Sequence, residues 1–173
     1  MADGTFAIVM AIVGLTDMSQ NYCGTDTGCL GRSDVTPRWS LAAGEFDDLA
    51  TTSSKEIYLR YDLGHRNGPF GHAIGLSIAD GGEIWFGAGQ TYLWSPDRSP
   101  FYAELHAMTG LYDANGGLDL GGPIQFRSGI ELGYENRAGW RYALSYDHRS
   151  NADIYRRNPG VETYMFRVSV PLQ

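Results

Sequence analysis

No stretch of this chain approaches the run of about 20 apolar residues that a membrane-spanning helix needs. The longest apolar run, Phe6 to Val13, is far shorter. A transmembrane β-barrel does not need such a run, because its strands alternate. Charge is also scarce, at 19% of residues, against a usual share of about a quarter. The net charge is −7, so no nucleic-acid partner is expected, since that work needs a basic surface. A local basic group remains at Arg149, Arg156 and Arg157. Only two cysteines occur, at Cys23 and Cys29. Their spacing is too wide for a CxxC redox motif, and no second pair supports zinc. A short Gly-rich loop closed by a disulfide suits an oxidising compartment such as the periplasm; two free thiols are the alternative. No secretory leader is evident, because Asp3 stands where a basic segment belongs and no small-residue cleavage site follows. The glycine-rich stretch 113–122 lacks the Lys-Ser/Thr and the helix of a phosphate-binding loop.

What the chain does have is aromatic residues, at 13%, with eleven tyrosines, four tryptophans and 23 glycines. That composition fits a β protein. Residues 1–36 hold both cysteines and an apolar patch, and they read as an N-terminal extension with a boundary near Pro37. From Arg38 onward the chain falls into segments of period-2 alternation: 38–48, 55–66, 70–79, 83–94, 100–112, 123–135, 139–150 and 161–171. None of these segments shows a 3.6-residue period, so the barrel needs no helix, and the structure of residues 1–36 stays open.

Within 139–150 the even positions run Trp140, Tyr142, Leu144, Tyr146, His148, Ser150, and the odd ones run Arg141, Ala143, Ser145, Asp147, Arg149. Each strand thus has an apolar face and a polar or small one. Parity alone does not say which face points inward. Two features favour a membrane barrel, with its charges inside. The long connections 113–122 and 151–160 fall at one end, as extracellular loops would. Trp39, Trp94, Phe101, Tyr134 and Trp140 fall at the other, where an aromatic girdle belongs. The expected fold is all-β: an eight-stranded antiparallel transmembrane β-barrel over residues 37–173. Arg60, Asp62, Glu104, Arg127, Glu131, Arg141 and Arg167 are its expected lumen charges. His72 and His106 read as strand or lumen residues, and His65 as a solvated turn residue.

Chemistry concentrates at the end of the chain. His148 and Ser150 leave one face of a strand, and Glu162 joins that face from the next strand across the loop 151–160. A serine needs a base to become a nucleophile. A histidine titrates near neutral pH, and a carboxylate can orient its imidazole. Oxyanion donors are sought at the Asn151 amide and at Asn158. No metal or cofactor is called for. On geometry alone, a polar strand end meeting a loop explains the same residues.

The segment His148-x-Ser150-Asn151, followed by Asn158-x-Gly160-x-Glu162, resembles the lipid A 3-O-deacylase (PagL-type) outer-membrane family. A looser likeness in strand layout covers 38–171. The resemblance implies a serine esterase in the bacterial outer membrane, with His148, Ser150 and Glu162 as its triad. It implies lipopolysaccharide, through its lipid A part, as substrate, with outer-membrane lipids around it. Family members carry Gly where this chain has Asp153, and barrels of this kind commonly end in an aromatic residue where this chain has Leu172-Gln173. Arg149, Arg156 and Arg157 are either solvated loop charges or contacts for lipid A phosphates. The sequence leaves a homodimer open. Two rival readings remain: a non-catalytic structural or adhesive outer-membrane barrel, and a soluble carrier with its aromatic face turned inward.

Overall fold

The computed structural model describes residues 4–47 and 53–172. A helix, α1 (Thr5–Asp17), runs into a π-helical turn, Met18–Tyr22. A loop holding the Cys23–Cys29 disulfide follows. Nine strands come next: β1 (Arg32–Asp34), β2 (Arg38–Asp47), β3 (Ser53–Asn67), β4 (Phe70–Ala79), β5 (Ile84–Trp94), β6 (Phe101–Asp113), β7 (Ile124–Glu135), β8 (Arg141–Ser150) and β9 (Val161–Pro171). Strands β2 to β9 pair antiparallel, each with the next, and β9 pairs with β2 to close the barrel. β1 adds a short pairing to the lower end of β3. The expected eight-stranded barrel is the one observed, with bounds shifted by a residue or two; the expected end of the first strand, residue 48, lies outside the described residues.

Exposure settles which face is inside. Leu144 is 68% exposed and Tyr164 62%, whereas Arg127 and Arg167 are fully buried. Leu41, Ile57, Leu76, Phe86, Leu132 and Phe166 share the outer face. Water would not tolerate so continuous an apolar wall on a soluble carrier, and that reading is withdrawn. The outward aromatics Trp39, Trp94, Phe101, Tyr134 and Trp140 gather at the end opposite the long loops. Closure satisfies the strand backbones internally, as a lipid surround demands.

The lumen is filled by paired charge. Arg127 bonds Asp147 at 2.7 Å and Glu56 at 3.0 Å, with its guanidinium over the Tyr58 ring. Arg60 joins Glu104 at 2.7 Å and Asp62 at 2.8 Å, and Arg167 joins Glu131 at 2.7 Å. Arg141 meets Glu135 nearer the lower rim. His106 lies 3.4 Å from Asp147 in the same interior. Each buried ion has a partner, and burying it alone would be costly.

The helix was not foreseen. α1 lies against the outer wall, where Met10 packs with Leu105 and Phe70, flanked by Phe6, Val13, Tyr92, Ala107 and Ile130. Gly14 passes so close to the Phe70 ring that any side chain there would collide with it. Val9, Ile12 and Leu15 face outward. A helix between an apolar wall and lipid has two apolar surroundings, so it carries no amphipathic period to read. At about 1.5 Å per residue it spans roughly 20 Å, comparable to the outer apolar band of such a barrel, about 25 Å. It is not long enough to count as a membrane-crossing helix by length and hydropathy.

Replacing Arg127 with Met is expected to leave Asp147 without its guanidinium partner and Glu56 with Arg149 alone. The expected cost is about 3–5 kcal/mol in detergent-solubilised unfolding. Arg157→Ala, which removes an exposed pair with Asp119, is expected to stay within about 1 kcal/mol of the parent.

Candidate active site

Period-2 pleating carries Tyr142, Leu144, Tyr146, His148 and Ser150 to the outer face of β8, and antiparallel register sets His148 opposite Glu162 of β9. His148 Nδ1 and Glu162 Oε1 are 2.9 Å apart. A carboxylate only accepts, so Nδ1 carries the proton and Nε2 is left as an acceptor. The Tyr146 hydroxyl is within hydrogen-bonding reach of the same carboxylate. Ser150 lies one outward position above His148, at the upper end of β8. The loop 151–160 and the start of α1 shield the group: His148, Ser150 and Glu162 are 6%, 8% and 3% exposed. Glu162 is the second residue of β9, near the rim, where a charge on the lipid side costs little, about 0–1 kcal/mol.

A cavity of about 660 Å³ opens beside these side chains. Its barrel side includes Thr109, Phe126 and Ser128, and His148 and Ser150 line it as well. Ser128 is the cross-strand neighbour of His148 on the lipid-facing side and is itself buried. Sequence reasoning passed it over, although a hydroxyl between Phe126 and Ile130 on an otherwise apolar parity was visible. Gly160 has φ 67° and sits over the imidazole, where an added Cβ would lie 3.2 Å from His148 Cε1.

Several assigned residues stand elsewhere. Arg149 points into the lumen, pairs with Glu56 and lies over the Trp85 ring. It is not available to a lipid phosphate, and its odd parity already separated it from His148 and Ser150. Arg156 and Arg157 do lie in the outer loop, with Arg157 bonded to Asp119 at 3.0 Å. The Asn151 amide donates to Asn158 Oδ1 at 3.0 Å, so the two oxyanion candidates occupy each other. The Asn151 side chain is a buckle: its Nδ2 donates to Leu120 O at 2.9 Å and to Arg157 O at 2.6 Å, tying loop 114–123 to loop 151–160. Just beyond it, Ala152 and Asp153 adopt φ of 51° and 61° and line the cavity. That left-handed backbone is the one glycine takes most readily, and Asp tolerates it better than most. Asn158 Nδ2 holds the Asp153 carboxylate at 2.9 Å. His72 bonds Asn67 at 2.8 Å, in a different place. Among the described residues no cluster of His, Cys, Asp and Glu is arranged to hold a metal.

The closed barrel, its apolar outer wall and the polar group buried at its upper rim define an integral outer-membrane β-barrel of the enzymatic kind. The sequence profile of the lipid A 3-O-deacylase (PagL) family matches residues 36–171. The chain belongs to that family of outer-membrane lipid A hydrolases. Its fold is similar to the crystal structure of the outer membrane enzyme PagL, with 18% identity and a TM-score of 0.62, covering 78% of this chain and 99% of that one. It is also similar to a de novo designed transmembrane β-barrel (9% identity, TM-score 0.58, 81% of this chain and 98% of that one). Neisserial surface protein A shares the fold as well (13% identity, TM-score 0.56, 82% and 99%). At such identities these structures speak for the fold alone. No curated protein matches the chain in sequence.

Asn151→Ala is expected to leave two loop carbonyls without their donor. That should cost about 1–3 kcal/mol of stability, measured by thermal unfolding, and should loosen loop 151–160 in hydrogen exchange.

Proposed function

We propose that this lipid A deacylase is a serine esterase in which Ser150, His148 and Glu162 form the catalytic triad. The observation that carries the reading is the 2.9 Å contact between His148 Nδ1 and Glu162 Oε1 on the lipid-facing wall, with Ser150 on the same face of β8. A triad of this sort is recognised by geometry and roles, and by no particular fold. The site is at the depth where the ester bonds of an outer-leaflet lipid meet the apolar chains.

The steps follow from the residues. His148 Nε2 takes the proton of Ser150 as the serine oxygen attacks the acyl carbonyl carbon. Glu162 holds the ring in that orientation and stabilises the imidazolium. The carbonyl oxygen becomes an oxyanion, and the backbone amides of Ala152 and Asp153 are the donors assigned to it. The intermediate collapses, the sugar oxygen leaves with the proton from His148, and the acyl group stays on Ser150. Water, deprotonated by the same imidazole, then releases the fatty acid. Arg156 and Arg157, at the outer rim, are the residues assigned to the lipid A phosphates, through charge-assisted hydrogen bonds. Cleavage at the 3-position follows from the family.

The test is the mass of lipid A from cells that express the protein. The parent is expected to remove one acyl chain. Ser150→Ala and His148→Ala are each expected to fold but to lose activity by roughly a thousandfold or more, and Glu162→Gln to lose a large part of it. Unchanged lipid A with the parent, or deacylation by both alanine variants, would overturn the triad.

A further inference from the structure

The cavity beside Ser150 is not made by the barrel alone. Gly4, Ala7 and Ile8, from the start of α1, form the side that faces lipid. The opposite side is the outer wall at Ala107, Thr109 and Ser128, where β6 and β7 carry small side chains between larger ones. Below, the groove is stopped. Phe6 meets the Tyr146 ring at 5.6 Å, and Met10 packs on Leu105. The family match begins at residue 36, so α1 belongs to the part of the chain beyond what the family shares.

We propose that α1 and the outer wall of β6 and β7 form a binding groove for the saturated acyl chain of the ester being cut, so that α1 sets which chain lengths are hydrolysed. The proposal rests on the serine-esterase reading above and adds the element that selects the substrate. At about 660 Å³ the space lies within the range of small-ligand pockets, about 300–1,000 Å³. His148, Ser150, Asp153 and Asn158 give it one polar edge, and Ala7, Ile8, Ala107 and Phe126 give it apolar sides. Selection here cannot come from the hydrophobic effect, because the chain moves from one apolar medium to another. Packing must supply it, as between helices in a bilayer. A chain that fills the groove gains contacts on both sides. A chain too long for it meets the Phe6–Tyr146 and Met10–Leu105 floor, and its ester is held away from Ser150. Gly4 and Ala7 are the small residues that leave the groove open from the helix side.

The experiment uses the full chain in detergent micelles with p-nitrophenyl esters from butyrate to palmitate. Ala7→Phe fills the groove and is expected to lower the long-to-short rate ratio at least tenfold relative to the parent. Ile8→Ala widens it and is expected to move the preferred length upward, which gives a second reading should Ala7→Phe fold poorly. Val9→Phe, on an exposed side of the helix away from the cavity lining, is expected to leave the length profile unchanged. A length profile that Ala7→Phe and Ile8→Ala both leave as in the parent would overturn the groove while the esterase stands. So would an equal fall for every ester with Ala7→Phe, which would make α1 a cover and not a selector. A parent that cleaves no ester at all would overturn both readings.

Discussion

Antiparallel pairing of β8 with β9 sets His148 opposite Glu162, and the arrangement at the rim depends on that register. A slip of one residue would turn every side chain of a strand to the other face. It would put the imidazole in the lumen near Arg127 and Glu56, and push Asp147 and Arg149 into lipid. The register is held from both sides of the wall. Inside, Asp147 is fixed by Arg127 at 2.7 Å, and Arg167 of β9 is fixed by Glu131 of β7 at 2.7 Å. Outside, Leu144, Tyr164 and Phe166 belong in lipid. The paired charges of the interior are thus also what aims the polar group outward.

Most of the barrel was legible in the sequence because period-2 alternation survives burial on either side. What alternation could not give was direction, and the placement of aromatics and long loops supplied that. Arg149 shows the cost of ignoring parity: its neighbours in sequence are His148 and Ser150, but its side chain faces Glu56. Asn151 and Asn158 show a different limit. Their types suit an oxyanion hole, but only the folded loop reveals that they bond each other and that Asn151 also holds Leu120 and Arg157. The left-handed turn at Ala152 and Asp153 was hidden for the same reason, since neither residue advertises a positive φ. Helix α1 was illegible on principle. Helical period is visible when a helix divides two media, and α1 has apolar matter on both sides.

The site is accordingly a meeting of three surroundings. The lumen supplies rigid electrostatics beneath it, the loops 114–123 and 151–160 roof it, and α1 walls it on the lipid side. A carboxylate and an imidazole at the membrane boundary are tolerable there because the rim is shallow and because they bond each other. Asn151 ties the two loops together above the ring, and His148 is buried beneath them. On the proposed reading, the substrate's ester reaches Ser150 from the lipid side.

The central claim is that Ser150 is an activated nucleophile on the outer wall. Its most direct test is covalent labelling of the folded protein with an alkyl fluorophosphonate, followed by mass mapping of the modified peptide. One adduct is expected, on Ser150, and it is expected to vanish in His148→Ala. An unlabelled Ser150 in the folded protein, or labelling that persists without the imidazole, would contradict the account.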